Sequence, residues 1–205
     1  PTPLINVMNN AARKASRLLM RDFGEVEQLQ VSRKGPGDFV SEADKRTEEI
    51  LHEELHKARP GFGFLMEEGG TIEGENANER WIIDPIDGTT NFLHGIPHFS
   101  ISIAVERDKE LVAGMVYEPV RDEVFWAERN EGAYLNRQRL RVSGRSDMRD
   151  ALLATGIPFG NRPGKKAFSA MLNVVMNRTA GVRRQGSAAL DLAYVAAGRY
   201  EGFWE

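Results

Sequence analysis

WIIDPIDGTTNF, residues 81–92, is the stretch from which the fold reads outward. Trp81, Ile82 and Ile83 have the character of a buried strand end. Asp84 and Asp87 follow, spaced by Pro85 and Ile86, and Gly88, Thr89, Thr90 and Asn91 then lead into a candidate helix. A strand that delivers two acids into such a turn suits a hard cation beside an anion. Mg²⁺ takes one or two carboxylates and fills its shell with water and phosphate oxygens. Free N–H groups at a helix start attract the same phosphate. Each part also has an ordinary role: Asp-Pro and Asp-Gly are common turn pairs, and Thr or Asn caps helices. Two features favour chemistry. The acids follow an apolar strand, where charge is costly unless paired, and a second acidic pair, Glu67-Glu68, closes the apolar run GFGFLM upstream.

Leu4, Val7, Met8, Ala11, Ala15, Leu18 and Leu19 recur at helical spacing and predict an amphipathic helix ending near Gly24. Residues 31–40, VSRKGPGDFV, read as a Gly- and Pro-rich loop. A second helix is expected from Ala43 to Arg59, with the stripe Thr47, Ile50, Leu51, Leu55 and Ala58, stopped by Pro60-Gly61. Gly61 to Glu68 reads as a strand, and residues 69–80 as a polar, mobile loop. From Phe99 to Val142, alternation and turns predict an antiparallel meander. Ala151 to Thr155 is a short strand. Helices follow Pro163 and span Ser187 to Gly198, and Gly202 to Glu205 begins another strand. Together these elements imply a layered mixed α/β fold.

The 205 residues carry 27 basic and 30 acidic side chains, a net charge of −3, which argues against a general nucleic-acid or membrane surface. With 41% hydrophobic and 28% charged residues the composition is that of a soluble globular protein. There is no cysteine, which excludes disulfides, zinc-thiolate sites and thiol catalysis and fits the cytosol. No apolar run has membrane-spanning length, and the first twenty residues lack a signal-peptide core.

If the Glu67 strand lies beside residues 81–84, three carboxylates converge. They would repel one another strongly without a cation, and a two-cation site could then serve phosphate chemistry. Glu68 reads equally well as a charged loop start. Thr89 reads as a helix cap or as the group that orients an attacking water, with Asp44 as its acceptor; Asp44 also reads as the N-cap of the second helix. His52 to His56 matches H-E-x-x-H, the zinc-protease pattern. That reading is set aside, because both histidines share a face with Lys45, Glu48, Glu49 and Arg59, expected to be solvated, and no third ligand is supplied. His94 and His98 read as a loop near the site. Arg183-Arg184, before a helix start, reads as a solvated pair or as a partner or anion contact. Gly186-Ser187-Ala188 would let a ligand approach the backbone closely.

With these residues in place, the chain resembles the inositol monophosphatase family. The signature W-x-x-D-P-x-D-G-T-x-N-F stands intact as Trp81 to Phe92, supported by DFVSEAD, FLMEE, GAYLN and RRQGSAALDLAYVAAGRYEGFWE. The resemblance implies a layered α/β/α/β/α sandwich of the sugar-phosphatase type, usually a homodimer, in a superfamily of lithium-sensitive, Mg²⁺-dependent phosphatases. It implies that Glu67 ligates metal and helps activate water, that Asp84 is shared between metals, that Ile86 donates its carbonyl to a metal, and that Asp87 ligates a second metal and meets the sugar ring. It implies that Gly88 and Thr89 bind phosphate through their amides, that the Thr89 hydroxyl holds the water with Asp44 as partner, and that Ala188 and Glu205 contact inositol. The family's next Trp-Asp motif falls beyond Glu205. The expectation is therefore one inositol-monophosphatase-like domain over 1–205, truncated or incomplete at its C-terminus.

The expected function is Mg²⁺-dependent hydrolysis of a small phosphomonoester, myo-inositol monophosphate first, in the cytoplasm. Rival expectations are a sugar bisphosphate or phosphoadenosine nucleotide as substrate. A further rival, drawn from bacterial relatives, is binding to transcription factors in antitermination.

Overall fold

The protein is described by a computed structural model over residues 1–25, 31–35 and 38–205, with 31–35 and 38–41 as backbone. Helix α1 (Pro3–Phe23) starts at Thr2, whose hydroxyl accepts the Ile5 N–H at 3.3 Å, and stops at Gly24. Strands β1 (Val31–Gly35) and β2 (Asp38–Ser41) form an antiparallel hairpin where the sequence predicts a loop. Gly35, Pro36 and Gly37 fall at its tip, while Val31, Phe39 and Val40 are residue types that favour strands. Helix α2 is Glu42–Ala58, so Asp44 sits inside its first turn, not at its N-cap. Strands β3 (Gly63–Met66), β4 (Gly70–Ile72) and β5 (Glu79–Asp87) precede the short helix α3 (Thr89–Leu93). The predicted loop 69–80 thus contains β4 and the start of β5. Pairing to β3 draws these polar residues into the sheet, a tertiary effect that local composition does not show.

The meander follows as β6 (Ser100–Arg107), β7 (Glu110–Glu118), β8 (Glu123–Glu128), β9 (Gly132–Leu135) and β10 (Gln138–Arg139). Asp108 and Lys109 take positive φ, 53° and 65°, in the tight turn that fits the strand twist between β6 and β7. Beyond lie β11 (Leu152–Thr155), α4 (Lys165–Met176), β12 (Gly181–Arg183), α5 (Ala188–Ala196) and β13 (Gly202–Trp204).

The large sheet has the order β10-β9-β8-β7-β6-β5-β3-β4, and the small one β12-β11-β13 with parallel pairs. Period-two alternation decides which side chain joins which layer. On β8, Val124 and Trp126 pack with α1 and α2, while Phe125, between them, faces α5 with Leu190 and Tyr194. On β13, Phe203 packs toward α5, and Trp204 stacks on Phe168 of α4 with ring centroids 6.1 Å apart. The layers therefore run α1/α2, large sheet, α5, small sheet, α4, which is the expected α/β/α/β/α sandwich. Trp81, Phe64, Phe92 and Phe99 are fully buried in the first core, each contributing about 1.5–3 kcal/mol of transfer free energy.

Candidate active site

The site begins with a break in strand pairing. Along β5 and β6, Asp84 pairs with Ser102 and Asp87 with Ser100, so β5 holds one extra residue between them. Two residues three apart on a regular strand point to opposite faces. The bulge shifts the phase by one and brings both carboxylates to the same side. Pro85 suits this point because it has no N–H to give the ladder. The Ile86 N–H, released from regular pairing, donates to Asp84. On the other side β3 runs parallel to β5 with Met66 opposite Ile83, so Glu67 and Asp84 leave the sheet as neighbours.

Electrostatics confirm the convergence. Burial, then the charges of Asp87, Glu67 and Asp44, push the Asp84 carboxyl up to about 8. Asp84 Oδ1 is buried with no hydrogen-bond partner. Among the described residues, no three His, Asp or Glu side chains are already drawn together as a metal cage.

Asp87 is held by the start of α5. Its Oδ2 accepts from Ser187 Oγ at 2.5 Å and from the Ala189 N–H at 2.8 Å, and the Ala188 N–H also donates to the carboxylate. Burial still raises the Asp87 carboxyl, and these bonds pull it back. Gly88 turns the chain at φ 97°, where a Cβ would lie 3.1 Å from the His98 carbonyl and 3.3 Å from that of Gly186. Both the angle and the backbone neighbours require glycine. The Thr89 hydroxyl donates to the Ile86 carbonyl at 2.8 Å, which leaves its lone pairs to accept from a water.

Glu67, Asp87, Gly88, Thr89, Ala188 and Glu205 all line one cleft of about 840 Å³ between the two sheets. Asp44 is buried, and its charge reaches Asp84. Glu68, the other half of its acidic pair, does not line the cleft, but Glu67 does. Asp191 and Ser187, which sequence reasoning did not single out as site residues, are in the lining as well. Burial and then the Asp87 charge push the Asp191 carboxyl up to about 7, and its Oδ1 has no partner. The available signal was an acid in the first turn of the otherwise apolar run AALDLAYVA.

Other singled-out residues stay apart. His52 and His56 stack at 5.9 Å, and His52 meets the Phe64 ring edge at 4.5 Å, in a packing role. Glu48, expected on their solvated face, is 5% exposed because β3 and the turn after it cover that side of α2. His94 is exposed, but His98 is buried beside Tyr194. Arg183 ends β12 instead of preceding a helix directly, and Arg184 reaches the cleft.

A bulged strand carrying paired acids, a tight Gly turn and a polar cleft between two sheets define a hydrolase site built for an anionic substrate. The inositol monophosphatase family model matches residues 1–205. The chain is 58% identical over 202 residues to the inositol-1-monophosphatase of Mesorhizobium japonicum, covering 98% of this chain and 76% of that one. It is 46% identical to Nus factor SuhB of Pseudomonas aeruginosa, covering 99% and 76%. The crystal structure of extragenic suppressor protein SuhB from Bartonella henselae superposes with a TM-score of 0.95 at 55% identity, covering 98% and 78%. The chain belongs to the inositol monophosphatase family. It is accordingly an enzyme of the phosphoric monoester hydrolase class.

Proposed function

We propose that the protein hydrolyses a small phosphomonoester with Mg²⁺, and that myo-inositol monophosphate is the substrate. The observation that carries this reading is the bulge that turns Asp84 and Asp87 to one side, with Asp84 Oδ1 buried and unpartnered. A carboxylate in that position needs either a proton or a cation, and an all-oxygen donor set suits Mg²⁺. Glu67, Asp84, Asp87 and the Ile86 carbonyl would hold it. Bound there, Mg²⁺ makes water nucleophilic and offsets charge on the phosphoryl group.

The chain's own groups do the rest. The Thr89 hydroxyl, fixed on the Ile86 carbonyl, accepts a hydrogen bond from the attacking water and so aims it. Glu67, at the cleft wall, takes the proton from that water. Asp44 lies behind this pair as the acceptor that supports it. The amides of Gly88 and Thr89 hold phosphate oxygens. Ala188 and Glu205, across the cleft, meet the polyol. The same reading includes a homodimer in the cytoplasm and inhibition by Li⁺. It is supported by the relatives named inositol-1-monophosphatase.

Phosphate release from inositol monophosphate, a sugar bisphosphate and a phosphoadenosine nucleotide, with and without Mg²⁺ and Li⁺, tests it. Asp87→Asn is expected to abolish release while the fold is retained; full activity in that variant would end the assignment. A second reading, binding to transcription factors, is favoured by the relatives named Nus factor. A pull-down with transcription factors comparing wild type with Arg183→Ala and Arg184→Ala separates the two. Arg184 lines the cleft and Arg183 does not, so only a loss in both variants with phosphate release intact supports the binding role.

A further inference from the structure

We propose that Glu48 is a positioning residue for Glu67, an inference that rests on the metal-dependent reading above. Glu48 lies on α2 one turn after Asp44 and is 5% exposed. Its carboxylate accepts the Glu68 N–H at 2.9 Å through Oε2 and the Gly69 N–H at 2.7 Å through Oε1. Among the described residues no arginine or lysine pairs with it. A buried carboxylate is costly unless hydrogen-bonded, and two charge-assisted amide bonds are the compensation here.

The place of these amides gives the contact its meaning. Met66 pairs with Gly70 across the β3–β4 hairpin, so Glu67, Glu68 and Gly69 form its three-residue loop. The Glu68 and Gly69 amides lie in that loop, outside the ladder, and Glu48 holds both. Gly69 is suited to this close approach: a Cβ there would lie 2.6 Å from Met66 Cε and 3.3 Å from Glu48 Oε1. Glu67 is therefore fixed on one side by the ladder at Met66 and on the other by a two-point hold from α2. Asp44 is carried by the same helix. One rigid element thus sets both Asp44 and the Glu67 loop against Asp84, and the Glu67 carboxylate is aimed before any cation arrives. Groups that orient ligands in this way typically change metal affinity by about 10–100-fold when lost.

The test measures Mg²⁺ alone by titration calorimetry, together with the Mg²⁺ dependence of phosphate release, in the full chain. Glu48→Gln keeps the shape and one acceptor but sets an NH₂ against an amide N–H; Glu48→Ala removes both acceptors. Leu55→Ala is the control for a merely structural effect, because Leu55 is fully buried on the same helix and away from the loop. Expected is a weakening of Mg²⁺ binding of about tenfold or more in Glu48→Gln. The half-saturating Mg²⁺ should rise in parallel, and kcat at saturating Mg²⁺ should fall less. Leu55→Ala should lose stability but keep the wild-type Mg²⁺ affinity. Mg²⁺ affinity within twofold of wild type in both Glu48 variants would overturn the proposal, as would an equal shift in Leu55→Ala. Wild type that neither binds Mg²⁺ nor releases phosphate would bring down the functional reading itself, a result distinct from active wild type with unaffected Glu48 variants.

Discussion

Replacing Ser187 with alanine removes one oxygen from the hold on Asp87, and the structure sets the size of the effect. Ser187 is fully buried, and its Oγ donates to Asp87 Oδ2 at 2.5 Å. A hydrogen bond to a charged group contributes about 1.5–3 kcal/mol. Nothing else is lost with it. Ser187 precedes α5 but makes no side-chain cap bond, and the Ala188 and Ala189 amides still reach the carboxylate, so no buried acceptor is orphaned. Ser187→Ala should therefore lower stability by about 1.5–3 kcal/mol at pH 7, or about 3–12 °C in Tm for a chain of this size. The assay is urea unfolding followed by tryptophan fluorescence, with EDTA present so that no metal contributes. The sign with pH follows from Asp87. Its folded value is raised, so ionisation there costs stability that is intact below the unfolded carboxylate range and lost as pH rises through the folded value. Ser187 softens that cost, so the variant's deficit should shrink as the solution is acidified. A deficit below about 0.5 kcal/mol at pH 7 would refute the reasoning, because a change that small is typical of a surface position.

Gly88→Ala should cost more than about 2 kcal/mol, since φ of 97° is strained for alanine and the new Cβ meets the His98 carbonyl at 3.1 Å; a thermal melt close to wild type would contradict this. Glu118 is fully buried, and burial pushes its carboxyl up while Arg121 and the Tyr194 hydroxyl pull it back. Wild type should therefore lose stability relative to Glu118→Gln as pH rises from the unfolded carboxylate range through the raised folded value, and urea midpoints that move the opposite way would exclude it. His56 is exposed and stacks on His52 away from the cleft, so His56→Ala should keep full phosphate release; stoichiometric zinc in the purified protein, lost in that variant, would revive the H-E-x-x-H reading.

Several parts of this protein were set by local sequence alone. Period 3.6 in α1 and period 2 through the meander are written in each residue's neighbours, because one face of each element must be apolar. The run Trp81–Phe92 likewise carried its own strand, acids and turn. Elements whose reason lies in a distant partner were not legible. β1 and β2 looked like a loop because Gly and Pro dominate the stretch locally. β4 looked like a loop because its three residues are exposed and gain order only by pairing with β3. His98 and Glu48 read as solvated, and both are buried by packing that no local pattern encodes.

For the site the division is sharper. Sequence named the acids, glycine and threonine, since those residue types at that spacing are themselves the chemistry. It could not place Asp84 and Asp87 on one side of the strand. Three positions on a regular strand put them on opposite faces, and only the extra residue opposite Ser100–Ser102 reverses this. Nor could it bring Ser187 and Asp191, about a hundred residues later, to the same cleft. Residue identity fixes what a group can do. Register, the bulge and the docking of α2 and α5 decide which groups meet, because those depend on contacts between segments far apart in the chain.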